Sequence, residues 1–450
     1  MNPGIADRSV GYQTLENNGA ATPALETAND CPKGYKRTEV GVIPEDWDVQ
    51  KFGDICLLIN GRGFKPYEWG IEGLPIIRIQ NLNGSDEYNY YQGIYDSKIF
   101  IKTGQLLFAW SGSRGTSFGP HVWKGGDALL NYHTWKLVVR NESIDEQYFF
   151  HILKDLTKRI EEAAHGASAL VHTQKGEMEN FYVPFPPKKE QTAIANALSD
   201  IDALISELDT LIAKKQAIKT ATMQQLLTGR TRLPTFAKRE DGTDKGYKPS
   251  ELGEIPEDWE VIPLGKIAII ERGKFTARPR NDPKYFGGSI PFIQTGDISR
   301  SNGWEVSYSQ TLNKDGVEVS RLFPGNSLYF TIAANIGDVA VVKFEAACPD
   351  SLVVLSEYND FCKIWLFYAL SREKGNFESL ATSNAQSNLN LEKLNPYLIA
   401  VPPLNEQTAI ANILSDMDTE ITALQQRQQK TRQIKQGMMQ ELLTGRTRLL

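Results

Sequence analysis

The sequence predicts an α+β protein in which two strand-rich, mixed globular domains are joined by two long antiparallel helices in a pseudo-twofold arrangement. Three observations lead to this fold class. The same short motifs occur twice along the chain. The segments between them contain short β-branched and aromatic runs separated by Gly, Pro and Asn turns. Each half then ends in a long amphipathic stretch, which indicates a helix that follows a globular domain.

The duplication is clearest in two markers. The first runs from Gly-Tyr-Lys to Ile-Pro-Glu-Asp-Trp and occurs at 34–47 and again at 246–259, an offset of 212. The second begins with Glu-Gln-Thr-Ala-Ile-Ala-Asn and ends in Leu-Leu-Thr-Gly-Arg, at 190–230 and 406–446, an offset of 216. Each half is therefore a divergent segment between two shared markers.

The second markers predict the long helices. Apolar residues recur at 3-4 spacing from Ile194 to Ile218 and from Ile410 to Ile434. Each run follows a proline pair and ends at Thr-Gly, with acidic residues early and basic residues late, as the helix dipole favours. From residue 190 to 228, such a helix would span on the order of 55 to 60 Å. Because the apolar stripe is wider than a two-helix seam needs, we expect it to pack against more than one helix.

The expected organisation follows from these markers and from local composition. It comprises a flexible N-terminal extension at 1–33, a first globular domain at 34–186, a first helix at 187–233, a charged linker at 234–245, a second globular domain at 246–402 and a second helix at 403–450.

The composition excludes several classes of protein. With 41% hydrophobic and 23% charged residues, most of the chain should fold. No signal peptide and no apolar run long enough to span a membrane are present, so we expect a cytoplasmic protein without membrane contact. The four cysteines form no C-x-x-C pair. A net charge of -6 does not exclude nucleic-acid binding, because phosphate contact needs only a local basic surface.

Signatures of catalysis are missing from the sequence. It has no G-x-x-x-x-G-K-S/T loop, and the five histidines show no H-E-x-x-H spacing. The stretches 281–285 and 395–397 lack the second proline of the Asn/Asp-Pro-Pro-Tyr/Phe motif of amino-group methyltransferases. We therefore expect a chain without catalytic residues, a bound metal or a cofactor of its own.

The duplicated order of the motifs resembles that of Type I restriction-modification specificity subunits, and the resemblance extends over residues 34–450. It implies that the divergent segments are target-recognition domains, each of which reads one half of a bipartite double-stranded DNA site. It also implies that the helices set the gap between the halves and dock two modification subunits that methylate adenine. Restriction subunits, which are motor-nucleases, would join for cleavage. S-adenosylmethionine, ATP and Mg²⁺ are expected on these partners.

Candidate DNA-binding residues lie in corresponding loops of the two divergent segments. Base edges are read by Arg, Lys, Asn and Gln, while phosphates also accept bonds from small polar groups. In the second segment five basic residues fall between 272 and 284 in a stretch too broken to be a helix, for which a solvated loop is the alternative. The resemblance adds a loop near the end of each domain, which in the first copy departs from the family pattern after residue 169. The predicted set is Arg62, Lys65, Arg78, Gln80, Asn81, Ser113, Arg114, His172, Arg272, Lys274, Arg278, Arg280, Gln294, Asn335, Asn384, Gln386 and Asn388.

Two other functions stay open at this point. A coiled-coil adaptor with two ligand-binding domains would explain the helices but not the two different sets of Arg, Asn and Gln. A fused methyltransferase or nuclease would need the catalytic motifs that the sequence lacks.

Overall fold

The computed structural model describes residues 31–164, 170–382 and 388–449. The chain divides into two compact units: unit 1 contains residues 1–207 and 428–450, and unit 2 contains residues 208–427. Most of the predicted N-terminal extension, residues 1–30, lies outside the described part. Among the described residues, no helix is both long enough and apolar enough to cross a membrane.

Unit 1 combines short strands with two longer helices. Its strands are β1 (Tyr35–Thr38), β2 (Gly41–Pro44), β3 (Asp48–Lys51), β4 (Cys56–Asn60), β5 (Leu74–Ile77), β6 (Asn89–Tyr91), β7 (Phe100–Ile101), β8 (Leu106–Ala109), β9 (Ser111–Ser113), β10 (Gly119–Val122), β11 (Ala128–Leu130), β12 (Thr134–Val139), β13 (Leu170–His172) and β14 (Tyr182–Phe185). Its helices are α1 (Phe52–Ile55), α2 (Ile79–Leu82), α3 (Glu146–Ala163), α4 (Lys175–Asn180) and the first part of α5 (Lys188–Leu226).

Two four-stranded sheets organise unit 1. One has the order β10-β8-β12-β4 and is antiparallel throughout, whereas the other, β6-β5-β11-β7, contains a parallel pair between β5 and β11. Helix α3 begins where the Asp145 carboxylate accepts hydrogen bonds from two backbone N–H groups of its first turn. The helix buries Phe149 and Leu153 in a core that also contains Trp47 and Phe52. Burial of these large apolar side chains holds α3 against the sheet.

Unit 2 contains the end of α5 and most of the last helix. Its strands are β15 (Tyr247–Ser250), β16 (Gly253–Pro256), β17 (Glu260–Pro263), β18 (Ile269–Arg272), β19 (Phe286–Pro291), β20 (Thr311–Leu312), β21 (Leu322–Phe323), β22 (Ser327–Thr331), β23 (Val339–Val342), β24 (Ala346–Ala347), β25 (Leu352–Ser356) and β26 (Leu398–Val401). Its helices are α6 (Pro234–Ala237), α7 (Leu264–Ile267), α8 (Thr295–Arg300), α9 (Lys314–Glu318), α10 (Lys363–Arg372), α11 (Lys374–Thr382), α12 (Leu391–Leu394) and α13 (Leu404–Leu442), whose last turns belong to unit 1.

The main sheet of unit 2 repeats that of unit 1. Its order β18-β25-β22-β23 matches β4-β12-β8-β10, with every neighbouring pair antiparallel. The core behind it contains Trp259, Phe330 and Trp365. The α+β class predicted from the sequence is therefore confirmed, and both units are built on the same sheet.

The two long helices run antiparallel where they meet inside each unit. In unit 1 Lys435 donates to Asp202 at 2.5 Å, and in unit 2 Lys215 lies 2.6 Å from Glu420. In unit 2 a further ion pair joins Lys219 to Asp418. Residue numbers fall along one helix as they rise along the other, which confirms the predicted direction of the pair.

Candidate DNA interface and the junctions that support it

The repeated motifs meet at one cluster in each unit. In unit 1 this cluster, junction cluster 1, consists of Asp46, Trp47, Glu190 and Arg448. The Trp47 Nε1–H donates to Glu190 Oε2 at 2.9 Å, and the Arg448 guanidinium donates to Glu190 at 2.7 and 2.8 Å. Arg448 also forms a bidentate pair with Asp46 at 2.9 and 2.8 Å. These hydrogen bonds from Arg448 lower the pKa of Asp46.

Unit 2 contains the same arrangement as junction cluster 2, which consists of Arg232, Asp258, Trp259 and Glu406. Trp259 donates to Glu406 at 3.0 Å, and Arg232 donates to Glu406 at 2.7 Å and to Asp258 at 2.9 and 3.1 Å. The Glu406 side chain is buried, so its charge is compensated entirely inside the protein. The two first-marker tryptophans and second-marker glutamates are thus structural residues.

A glycine closes each junction. Gly445 in unit 1 and Gly229 in unit 2 have φ of +71° and +70°, a conformation that L side chains rarely adopt. A Cβ atom would lie 2.4 Å from Pro44 at Gly445 and 2.5 Å from Pro256 at Gly229. The Leu-Leu-Thr-Gly motif therefore requires glycine both for helix termination and for close contact with the Ile-Pro-Glu-Asp-Trp motif.

The first candidate loop of unit 1 follows β4. The Arg62 guanidinium pairs with Glu68 and lies 4.7 Å from the Phe64 ring centroid and 5.0 Å from that of Tyr91. Because Glu68 also accepts a hydrogen bond from the Lys65 backbone at 2.8 Å, it holds the loop and the arginine together. Arg62 is therefore prepositioned at the surface, while the Lys65 side chain is exposed.

The second candidate segment of unit 1 is the turn into α2. Arg78 stands over the Trp69 ring at 5.3 Å, and Gln80 is exposed. In contrast, Asn81 is buried: its carboxamide accepts from the Arg78 backbone and donates to the carbonyl groups of Ser85 and Glu87. In this structure the Asn81 carboxamide holds the turn through these hydrogen bonds.

Two further candidates of unit 1 lie on one strand pair, and a third follows one of its strands. Ser113 lies in β9, His172 lies in β13, and these two strands pair with each other. Arg114 follows β9 and donates to the Ala164 carbonyl at 3.0 Å. The structure thus brings together residues separated by almost sixty positions in the sequence.

In unit 2 the basic loop after β18 is organised by Asp350. Arg272 donates to the Asp350 carbonyl at 2.6 Å, and Arg280 donates to its carboxylate at 3.0 Å. Arg278 instead donates to the carbonyl of Ala277 at 2.7 Å and so turns toward its own backbone. Lys274 is exposed. Of the predicted basic residues, Arg272 and Arg280 are therefore held as a pair.

The remaining candidates of unit 2 occupy separate places. Asn335 donates to the Ser299 hydroxyl at 2.9 Å, next to α8. Asn388 is exposed and precedes Leu389, whose backbone N–H donates to the Ile332 carbonyl at 3.0 Å. Two predicted residues, Asn384 and Gln386, lie outside the described part of the chain.

A surface groove of about 470 Å³ lies among the candidate residues of unit 2. Its apolar lining is formed by three phenylalanine rings in mutual contact, with Phe275 4.9 Å from Phe292 and 5.8 Å from Phe286. Polar side chains complete it, namely Arg280, Asn281, Gln294, Arg300 and Gln310. An apolar floor with Arg, Asn and Gln at its edges combines the groups that read base edges in DNA.

The groove also contains Asn281, Arg300 and Gln310, which are not among the DNA-binding residues predicted from the sequence. Asn281 follows the predicted Arg280, and Arg300 ends the helix that Gln294 precedes, so proximity in the sequence could have identified both. Gln310 is different, because it reaches Gln294 only through the neighbouring strands β19 and β20. No local pattern marks it.

Comparison with known proteins identifies the family. Residues 44–220 and 256–436 match the family model of the Type I restriction modification DNA specificity domain. The chain belongs to this family. The Type I specificity family was also the one predicted from the duplicated motifs, and that prediction is confirmed.

Individual relatives agree with the family match. The chain is similar to the type I restriction enzyme MjaVIII specificity subunit of Methanocaldococcus jannaschii, with 26% identity over 430 residues that cover 90% of this chain and 94% of that protein. It also resembles a solved chain from work on complex assembly and conformational transition of the type I R-M system, with a TM-score of 0.57 and 15% identity over 90% of this chain and 99% of that chain. The S subunit from M. genitalium gives a TM-score of 0.53 and 15% identity over 88% of this chain and 96% of that chain. These two structural likenesses support the fold.

Proposed function

We propose that this chain is the DNA-reading component of a Type I restriction-modification complex and that each unit reads one half of a bipartite site. The observation that carries the proposal is one shared sheet with different side chains at corresponding loops. After β4 an arginine is anchored by Glu68, whereas after β18 two arginines are anchored by Asp350. A conserved frame with two different sets of donors is what reading two unrelated half-sites requires.

The paired helices supply the second part of the proposed function. They would set the gap between the half-sites and dock two modification subunits. Supporting this, part of the predicted apolar stripe is covered, as at Ile205 and Leu208, while Leu211, Ile218 and Ile434 are exposed. Exposed apolar residues on a helix indicate a surface that another protein covers.

In this proposal the chain is not an enzyme and carries no cofactor. Adenine methylation would depend on S-adenosylmethionine bound by the modification subunits, and cleavage would require ATP and Mg²⁺ on restriction subunits. The complex would act on cytoplasmic DNA. The contribution of this chain is then to hold the catalytic partners at one sequence by hydrogen bonds to bases and phosphates.

Mapping adenine methylation across the DNA of cells that express the chain with its modification partner tests the proposal. We expect a bipartite motif with a fixed gap. Exchanging residues 264–394, which lie between the markers of unit 2, for those of another specificity subunit should change one half of the motif only. The purified chain with S-adenosylmethionine and DNA is the control and should transfer no methyl groups. A continuous motif, methylation by the chain alone, or a swap that changes both halves would contradict the proposal.

A further inference from the structure

Two glutamine side chains in the groove of unit 2 are joined to each other. The Gln294 Nε2–H donates to Gln310 Oε1 at 3.0 Å, and this bond lies at the protein surface. Both residues are held through their backbones as well. The Gln294 N–H donates to Asp297 Oδ2 at 2.8 Å, and the Gln310 carbonyl accepts from the Phe292 N–H at 3.0 Å. The fold therefore holds the two backbones near each other, and the hydrogen bond joins their carboxamides.

One hydrogen bond between two carboxamides leaves the second N–H of Gln294 and the second lone pair of Gln310 Oε1, and it leaves the Gln294 oxygen and the Gln310 NH₂ group entirely unused. Within the described residues the structure gives these two groups no other protein partner. The pair thus offers an acceptor on Gln294 and a donor on Gln310, one on each side of the hydrogen bond that joins them. The major-groove edge of adenine has the complementary arrangement, with the N6 amino group as donor and N7 as acceptor, and no other base presents that combination there.

The surroundings of the pair favour an approach by DNA. Arg300 is largely exposed, with 70% of its side chain accessible, and is anchored at 2.7 Å on the buried carboxylate of Asp297. On another side of the groove, Arg280 is anchored on Asp350 at 3.0 Å. Each carboxylate fixes part of a guanidinium that has five N–H donors, so both arginines keep donors for phosphate oxygens or bases. Two arginines therefore line the same groove as the glutamine pair.

We propose that Gln294 and Gln310 act as one composite reader that specifies an adenine in the half-site bound by unit 2. This inference rests on the proposed function, because it assumes that unit 2 reads DNA. Neither glutamine would specify the base alone: the acceptor comes from one side chain and the donor from the other. Removing either residue then abolishes discrimination at one position of one half-site.

The test uses the full chain with its modification partner and compares methylation motifs of the wild type, Gln294→Ala and Gln310→Ala. Each variant should accept any base at one position where the wild type requires adenine, with the gap and the other half-site unchanged. Gln310→Glu replaces the donor by an acceptor and should shift preference toward cytosine, whose N4 amino group is a donor. Gln216→Ala, an exposed glutamine on α5, is the matched control and should keep the wild-type motif.

Binding measurements test those variants whose complexes no longer methylate DNA. The wild-type complex should lose roughly 5- to 150-fold in affinity when the specified adenine is replaced, because one bidentate base contact contributes about 1–3 kcal/mol. The alanine variants should bind the two duplexes equally. A bipartite wild-type motif with unchanged discrimination in both alanine variants would overturn the adenine reader while leaving the proposed function intact. A wild type without a bipartite motif would overturn the proposed function itself.

Discussion

At the scale of single residues, charges buried at the two junctions carry the largest energetic consequences. Glu190 and Glu406 are both buried, and each accepts hydrogen bonds from one tryptophan and one arginine. A buried carboxylate without a cation is strongly unfavourable, because desolvation is then uncompensated. In each cluster a single guanidinium therefore supplies the positive charge that compensates the buried carboxylate.

We predict that Arg232→Ala destabilises unit 2 by about 3–5 kcal/mol, because it leaves Glu406 buried without its partner. Arg448→Ala should cost less in unit 1, since 24% of the Arg448 side chain is exposed and water can compensate, whereas only 7% of Arg232 is exposed. Amide hydrogen exchange measured in urea would give the free energy of unfolding of each unit separately. Arg446→Ala, with a side chain 68% exposed, is the control and should change stability by less than about 1 kcal/mol. A loss of less than about 1 kcal/mol in Arg232→Ala would show that Arg232 does not compensate the charge of Glu406.

His151 predicts a pH dependence of unit 1. Burial, with the nearby charge of Lys154, lowers the pKa of His151 to about 4, while Asp202 acts in the opposite direction and Lys435 in the same one. In the unfolded chain His151 binds a proton near pH 6.5. The contribution of neutral His151 to the stability of unit 1 is therefore full above that pH and is lost as the pH falls from 6.5 to 4. The loss should approach about 3 kcal/mol at pH 4.

The measurement is the free energy of unfolding of unit 1 across this pH range. His151→Gln should remove this contribution to the pH dependence, because glutamine does not titrate. His172→Gln changes an exposed histidine of the same unit and should retain the slope. Equal slopes in the wild type and His151→Gln would show that His151 does not cause the dependence.

At the scale of elements, the long helices combine covered and exposed faces. In unit 2 the side chains of Leu208 and Ile212 are buried, whereas Leu211 and Ile218, which are seven residues apart on one face of α5, are exposed. Lys215, which pairs with Glu420 on α13, is four residues from Leu211 and three from Ile218, so this ion pair borders the apolar strip. The strip is thus available to a partner helix.

We predict that replacing Leu211 and Ile218 together by Glu weakens binding of the modification subunit at least tenfold, since two charges would enter an apolar interface. Titration of the partner, followed by size-exclusion chromatography with light scattering, measures the effect. The variant should keep the far-ultraviolet circular dichroism and thermal midpoint of the wild type. Gln216→Glu adds a charge elsewhere on the helix and is the control. Unchanged affinity of the double variant would place the docking surface on another face.

At the scale of the whole molecule, only unit 1 is completed by a distant part of the chain. It combines residues up to 207 with residues 428–450, which include Arg448, whereas unit 2 is the continuous stretch 208–427, so each long helix contributes to both units. Both helices are therefore paired within both units. An insertion into α5 alone would shift α5 along α13 and break the ion pairs between the two helices in one of the units. A change in helix length therefore requires matched insertions in both helices.

We predict that duplicating residues 201–207 in α5 and 421–427 in α13 lengthens the gap in the recognised DNA motif by about three base pairs. Seven residues add about 10 Å of helix, and base pairs rise by about 3.4 Å. The bases read in each half should stay the same. The methylation motif measures both properties. A seven-residue insertion at 241–242, a turn outside the helices, is the control and should leave the gap unchanged. An active double insertion that kept the original gap would refute the spacer role.

The amino-acid sequence alone determined the features that depend on local pattern. Helix periodicity with proline and glycine boundaries predicted two long helices at 187–233 and 403–450, and the observed helices at 188–226 and 404–442 begin one residue later and end seven and eight residues earlier. The repeated motifs predicted two similar α+β units and their family. These signals are encoded in consecutive residues, so they can be recognised without the fold. The same holds for Arg62, Arg280 and Gln294, which belong to the residue types that read DNA.

Only the tertiary structure decided which of those side chains face a common groove. Gln310 reaches Gln294 because two strands pair, Arg280 is held by Asp350 from a loop seventy residues away, and Asn81 is buried by its own turn. Hydrogen-bond geometry changes over tenths of an ångström, and it is set by contacts between segments that are remote in sequence. Spacing along the chain cannot supply that geometry, so the composition of the candidate groove became visible only once the strands and helices were assembled.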